Sequence, residues 1–186
     1  MGTQRRIRVS VVLVPVALAG VIALAALSYG ATRANISAGR TFAAPGTVSA
    51  GHILAVDWRT GTDIAIVASF TPSRATRIRS VALTGLDPKD AYIVSAEYGF
   101  WDGSTPLPAF SSEADLLPAD VHPHAMTGAF SAGAHSRVIV RMVVRAISDA
   151  KATQALTGIR VDAESWAWAH TTFIPFALPV QLRQPR

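Results

Sequence analysis

An uninterrupted apolar segment near the N-terminus constrains this 186-residue chain more than any other feature. No residue from Val9 to Thr32 carries a charge, and Val9 to Tyr29 is almost wholly apolar. About 20 such residues cross a bilayer core of roughly 30 Å as a helix, whereas a small soluble domain cannot cover such a helix on every side. The segment therefore predicts a transmembrane signal-anchor helix over residues 9–29. A signal peptide cleaved near Ala26-Leu27-Ser28 is the alternative.

The charges beside this segment predict its orientation. Arg5, Arg6 and Arg8 lie immediately before it, and basic residues next to a membrane span stay in the cytoplasm. Arg33 and Arg40 on the far side reduce this bias. We therefore expect residues 1–8 to form a cytoplasmic tail. The rest of the chain then lies outside the cytoplasm, in a single-pass protein of the cell membrane.

The composition excludes several classes of protein. The chain has no cysteine, so it contains no disulfide, thiolate metal cluster or cysteine nucleophile. Its net charge is +5, but beyond residue 8 fourteen basic residues face twelve acidic ones, and only Lys89 and Lys151 are lysines. Nucleic-acid binding needs a clustered basic face, so we expect none. The excess of arginine and alanine is typical of a GC-rich bacterial genome.

Beyond the anchor, residues 30–46 are rich in Gly, Ala, Ser and Thr and predict a linker. Residues 47–186 alternate apolar and polar side chains in short runs between turn residues, which is typical of β-strands. The predicted strands cover residues 53–58, 63–70, 77–84, 91–98, 137–147, 156–164, 166–174 and 176–182. The first two are separated only by Arg59-Thr60-Gly61 and predict a hairpin. Without convincing amphipathic helices between the runs, the pattern predicts an all-β antiparallel sandwich of immunoglobulin-like shape.

The residues from Arg137 to Ile147 are compatible with either a helix or a strand. Arg137, Arg141 and Arg145 recur every four residues, a spacing that fits one face of a helix or of a strand. The residues between them are largely β-branched, which favours a strand with its arginines facing solvent or a ring of partners. Prolines at 175 and 179 place the last strand at an edge or leave these positions unpaired.

One segment, Asp102 to Thr127, is too long for an ordinary connection. It contains His122, His124 and Met126, at a spacing that projects alternate side chains to one side of an extended backbone. Imidazole with thioether is a ligand set suited to copper. These three residues are the predicted metal site. Further candidate ligands are His135, Met142, Glu113, Asp115 and Asp120.

The sequence contains no catalytic motif of the serine hydrolase, phosphate-loop, zinc protease or dinucleotide-binding kind. Aromatic residues at 98–101 and at 166 and 168 offer a ligand platform or, more commonly, core packing. We therefore predict no enzyme and no cofactor. We expect a membrane-anchored envelope protein whose β-sandwich binds a protein or envelope polymer. An exported copper-binding protein is the alternative, and a hydrolase without a recognisable motif is a third possibility.

Overall fold

A computed structural model describes residues 18–28, 34–38, 48–50, 53–57, 59–102, 110–111, 117, 120–147, 154–166 and 168–183. The chain divides into two compact units, Met1–Arg33 and Ala34–Arg186. The first contains one described helix, over residues 18–28. The remaining residues of the predicted anchor, 9–17 and 29, lie outside the described ranges. Among the described residues, no helix reaches the length and apolar character that a membrane crossing requires.

The second unit consists mostly of antiparallel β-sheet, as the alternating pattern predicts. Sheet I contains β1 (Ile36–Ala38), β4 (Asp63–Pro72), β6 (Ala91–Phe100), β7 (Phe110–Ser111), β8 (His124–Ala125) and β10 (Val138–Ala146). Its strand order is β1-β4-β10-β6-β8, and β7 also pairs with β4. All of these pairs are antiparallel. Strand β10 is therefore central, hydrogen-bonded to β4 on one side and β6 on the other.

Sheet II also has six strands. They are β2 (Val48–Ala50), β3 (Ile53–Asp57), β5 (Thr76–Thr84), β9 (Phe130–Ala132), β11 (Gln154–Ser165) and β12 (Trp168–Arg183). Their order is β2-β3-β12-β11-β5-β9. The pairing of β3 with β12 is parallel, and the other pairings are antiparallel.

The two sheets form a sandwich around a shared apolar core. Sheet I contributes Phe70, Val140 and Met142, and sheet II contributes Ile159 and Val161, all of them fully buried. Each lies on the inward face because alternate residues of a strand point to opposite sides. Burial of one such side chain stabilises the fold by about 1.5–3 kcal/mol. The predicted β-sandwich is thus confirmed for the described residues.

The structure departs from the sequence predictions in three places. The hairpin predicted between residues 53–58 and 63–70 is wrong, because β3 belongs to sheet II and β4 to sheet I. The turn at Gly61, which has a φ of 78°, connects the two sheets instead. The last two predicted strands are one strand, β12, which is not at an edge, and the β11–β12 register shifts between Leu156 and Gly158. Residues 176–179, including Pro179, fall within this shift. Strand β1 lies inside the stretch predicted as linker.

Strand β1 escapes sequence detection because it is short and carries few large side chains. Ile36 and Ala34 are only 5% and 1% exposed, and Ile36 joins the shared core. The amide of Ala34 donates to Ser165 Oγ at 3.3 Å, and the amide of Asn35 donates to Ser73 Oγ at 2.9 Å. The sandwich therefore begins at residue 34, and the predicted linker residues 30–33 and 39–46 lie outside the described ranges.

Candidate functional site

The three predicted metal ligands have different surroundings. His122 is exposed, and His124 is exposed on β8, opposite Tyr98 of β6. Met126 is partly buried and packs against the shared core, and its backbone amide donates to the Ala96 carbonyl at 2.8 Å. The thioether therefore contributes to packing, whereas both imidazoles are accessible.

An aromatic stack fixes the surroundings of His124. The Tyr98 ring is stacked on Phe130, with 3.8 Å between ring centroids and 8° between planes. The His124 ring lies 5.4 Å from that of Tyr98, tilted by 33°. In the part of the chain that the structure describes, no group of three or more His, Asp or Glu side chains is placed to hold a metal ion. Copper binding by His122, His124 and Met126 stays a prediction.

The long segment also covers the outer face of sheet I. Val121 is 4% exposed and packs with Val67 of β4 and Ile139 of β10, and Trp101 and Leu117 pack against the same group. This face of β10 would otherwise meet solvent, so the contact explains why β10 is apolar on both sides. At least part of the segment therefore has a packing role.

Two of the three periodic arginines are paired within sheet I. Both Nε and Nη2 of Arg141 donate to Glu97 Oε2, the first at 3.0 Å. Arg145 binds Asp63 through two parallel hydrogen bonds, Nε to Oδ1 at 2.6 Å and Nη2 to Oδ2 at 2.7 Å. Such bidentate pairs fix a side chain's orientation as well as its charge. Arg141 and Arg145 therefore crosslink neighbouring strands of sheet I.

These hydrogen bonds also change proton affinities. The guanidinium of Arg145 holds the pKa of Asp63 below its ordinary value of 3.8, against a smaller opposing effect of desolvation. Hydrogen bonds from Ser80 and Thr171 likewise lower the pKa of Asp162 on β11. Both carboxylates are therefore ionised acceptors at neutral pH, which suits a structural role better than that of a catalytic acid.

An open pocket of about 470 Å³ lies where β6 ends and β10 begins. The Arg137 guanidinium lies 5.7 Å from the centroid of the Trp101 ring, and its Nη1 donates to the Asp102 carbonyl at 2.9 Å. Trp101 Nε1 is buried and has no hydrogen-bond partner among the described residues. The lining residues are Phe100, Trp101, Asp102, His135, Ser136 and Arg137.

This pocket belongs to one end of the sandwich, which we term the Ala34 end. The amide of His135 donates to the Pro72 carbonyl at 2.8 Å, and Pro72 pairs with Ile36 of β1. The end comprises residue 34, the turn at residues 73–75, the pocket, and the turn between β11 and β12. These segments are far apart along the chain, so their meeting could not be predicted from the sequence.

The turn between β11 and β12 exposes a tryptophan. Trp166 is 84% exposed and has a φ of 59°, in the left-handed region. The preceding Ser165 is buried, and its Oγ lies 2.9 Å from Thr76 Oγ1 and accepts from the Ala34 amide. The base of this hairpin is thus tied to the first residue of the sandwich, whereas its tip projects into solvent.

The opposite end of sheet I, which we term the Tyr92 end, carries four exposed apolar side chains, which we refer to together as the patch. Tyr92, Ile93 and Val94 are 45%, 39% and 42% exposed, and Ile147 is 49% exposed. The amide of Ile147 donates to the Asp90 carbonyl at 2.8 Å, which brings the two segments together. The β6–β10 register shifts beside Val143 and Val144, and such a bulge changes the direction of nearby side chains. No described strand pairs with the outer edge of β6 at residues 92–95.

No protein-family model matches this chain, and no curated protein is similar to it. Among solved structures, the chain is similar to the ASH / PapD-like domain of human CEP192 (PapD-like domain 7). The TM-score is 0.37 and the sequence identity 7%, over 83% of this chain and 86% of that chain.

Proposed function

We propose that this chain is a membrane-anchored protein of the cell envelope whose extracytoplasmic β-sandwich binds a protein partner. The carrying observation is the helix at residues 18–28 within the uncharged apolar segment. Leu18, Val21, Ile22, Leu24 and Leu27 are 61–73% exposed on it. At about 100° per residue these positions spread over roughly 220° of the circumference. A helix apolar on so many sides suits a lipid environment better than water.

The sandwich suits a role in binding rather than catalysis. An immunoglobulin-like shape is part of this proposal, and two packed sheets with turns gathered at their ends support it. The ionised, hydrogen-bonded states of Asp63 and Asp162 also favour structural roles for these carboxylates. An exported binding module therefore accounts for the described features with the fewest additional assumptions.

The Tyr92 end is the proposed partner-binding surface. Exposed apolar side chains are typical of protein interfaces where several lie at one end of a domain, and aromatic residues are enriched there. Tyr92, Ile93, Val94 and Ile147 lie at the end of the sandwich opposite Ala34, where the chain enters. A protein partner is favoured over a carbohydrate polymer because three of the four side chains are aliphatic.

The topology is testable because the chain has no native cysteine. We would introduce Lys89→Cys on the sandwich and, as the matched control, Thr3→Cys before the anchor. A membrane-impermeant maleimide applied to intact cells should label position 89 and should label position 3 only after permeabilisation. Labelling of position 3 in intact cells, or protection of position 89, would contradict the proposed orientation.

The partner surface needs a separate experiment. A photocrosslinking amino acid at Tyr92 should give a discrete adduct in intact cells, and the same group at Phe173, an equally exposed aromatic on sheet II, should not. Ile147→Asp should weaken the Tyr92 adduct because it places a charge within the patch. Equal adducts at both positions, or none at Tyr92, would argue against this surface.

A further inference from the structure

We infer that the protein partner binds by adding an extended segment, as a new antiparallel strand, to the open edge of β6 at residues 91–95. The inference rests on the proposed partner surface at the Tyr92 end and specifies the form in which the partner binds there. The occupant is a peptide segment whose side chains alternate between aliphatic and polar. It enters the opening between residues 91–95 of β6 and residues 79–84 of β5, which we term the side slot.

The side slot is bounded by one strand of each sheet. Strand β8 pairs with β6 only at residues 97–98, and β9 pairs with β5 only at residues 76–78. Among the described residues no strand continues either pairing, so both edges are open beyond these points. The stacking of Tyr98 of β6 on Phe130 of β9 shows that the two open edges lie on the same side of the sandwich.

The backbone of β6 presents polar groups to the side slot. The Asp90 carbonyl faces β10, because it accepts from the amide of Ile147. Backbone groups of successive residues point alternately to the two edges of a strand, so those of Ala91 and Ile93 point to the open edge. The Ala91 amide already donates to the Asp87 carbonyl at 3.1 Å. In the described part of the chain, no strand pairs with Ile93 on this side, and an extended peptide supplies the donor and acceptor that it needs.

The inward side chains at the side slot leave part of the core open. Ile93 pairs with the buried Val144, and directly paired residues share one face of a sheet, yet Ile93 is 39% exposed. On β5, Val81 and Leu83 pair with fully buried residues of β11 but are only partly buried themselves. A strand added to β6 would place every second side chain in this opening. Aliphatic residues at those positions would complete the core.

Open backbone groups together with exposed core side chains select a peptide over other occupants. A lipid offers aliphatic surface but no ladder of donors and acceptors, and a carbohydrate offers hydrogen bonds but little aliphatic surface. A second copy of this chain is disfavoured because Val94 forms a bulge in the β6 edge, and bulges hinder pairing between the edges of two folded domains. A single segment can follow the bulge. Strand β8 already pairs with this edge in the antiparallel direction.

The probes that test strand addition are two synthetic peptides that alternate valine and threonine, with lysine at both ends. One is N-methylated on every threonine and the other on every valine, so they share their side chains but offer opposite edges. In the inferred antiparallel pairing, the residue opposite Ile93 lies on the inward face and directs its N–H towards β6. The threonine-methylated peptide can therefore pair with its valines inward. The valine-methylated peptide can pair only with its threonines inward.

Hydrogen exchange of the full chain in detergent micelles, followed by NMR, measures the binding. A saturating concentration of the threonine-methylated peptide should slow exchange of the Ile93 amide by about tenfold, as a new backbone hydrogen bond would. The valine-methylated peptide at the same concentration should protect this amide much less. Equal or reversed protection by the two peptides, or no protection by either, would overturn the inference.

A variant of the chain tests the same hydrogen bond from the other side. Ile93→Pro removes the N–H that faces the open edge, where a strand tolerates proline. Ile93→Val keeps the N–H and a β-branched side chain and is the matched control. The threonine-methylated peptide should raise the Tm of the wild type and of Ile93→Val but not of Ile93→Pro. An equal rise in all three would contradict strand addition, and if Ile93→Pro does not fold, the two peptides on the wild-type chain decide.

Crosslinking at Tyr92 in cells separates this inference from the proposed partner surface. A Tyr92 adduct that Ile147→Asp weakens, combined with equal protection by the two peptides, overturns strand addition and leaves the partner surface standing. Selective protection by the threonine-methylated peptide without a Tyr92 adduct overturns the partner surface and leaves the β6 edge as a peptide-binding site.

Discussion

Gly99 offers a precise test of how the long segment lies on sheet I. A Cβ built on this residue would lie 2.5 Å from Val121 Cγ1 and 3.2 Å from the His122 carbonyl oxygen. Val121 is itself buried against Val67 and Ile139. The segment therefore passes directly over β6 at a distance that only glycine permits. Gly99→Ala should destabilise the sandwich, even though this change usually stabilises a protein by restricting its unfolded chain.

The expected magnitude follows from opposing effects. Overpacking of a buried contact lowers the free energy of unfolding by about 1–3 kcal/mol. The lower conformational entropy of the unfolded alanine chain raises it by about 0.4–1 kcal/mol. With mid-range values for both effects the net loss is about 1.3 kcal/mol, or roughly 3–5 °C in Tm for a domain of this size. Val121→Ala removes two methyl-sized groups and should cost about 2 kcal/mol including the cavity. In the double variant the added methyl occupies that cavity, so the combined loss should fall short of the sum by about 1 kcal/mol.

Urea unfolding of the four proteins, followed by circular dichroism, measures this coupling. Gly128→Ala is the matched control, because a Cβ there meets no atom within 4 Å. It should be neutral or slightly stabilising. Additive losses in the cycle, or a Gly99→Ala protein as stable as the control, would refute the close approach of the segment to β6.

Three further changes have expected outcomes of different kinds. Gly85→Ala should destabilise strongly, as measured by urea unfolding, because φ is 96° and the new Cβ meets the Ala155 carbonyl oxygen. The stability that Asp63 contributes should be present above pH 3.8, its ordinary pKa, and lost as pH falls through its lowered folded-state pKa. Asp63→Asn should therefore differ from wild type in chemical denaturation at neutral pH and converge with it in acid. Copper titration should show binding that is weaker in acid, because a protonated imidazole cannot ligate a metal, and that is abolished in a His122→Ala, His124→Ala double variant; equal binding by wild type and variant would contradict the predicted site.

The strands could be predicted from the sequence where apolar and polar residues alternate or where β-branched residues dominate. Residues 137–147 illustrate this, because their β-branched side chains distinguish a strand from a helix although the arginine spacing does not. The ion pairs of Arg141 with Glu97 and of Arg145 with Asp63 could not be predicted from the sequence. It depends on which strands flank β10, and alternation along one strand carries no information about its neighbours.

The same limit explains the incorrect hairpin and why the packing of Met126 was not predicted. A short turn at Arg59–Gly61 is compatible both with a hairpin and with a connection between two sheets. The choice depends on which strands β3 and β4 pair with, and these lie far away in the sequence. Likewise the spacing of His122 and His124 predicts that they share one side of an extended backbone, but the packing of Met126 against the core depends on residues distant in sequence. The exposure of Trp166 required the β11–β12 register, which fixes where that turn begins.

Alkaline carbonate extraction of native membranes, combined with N-terminal sequencing, tests the membrane anchor most directly. We expect the full chain to stay in the membrane with an intact N-terminus. Leu24→Arg, which costs about 2.5–3.5 kcal/mol at the centre of a membrane helix, should release part of it, and Leu24→Ile should not. A chain removed by the wash, or a mature protein beginning near Tyr29, would contradict the anchor.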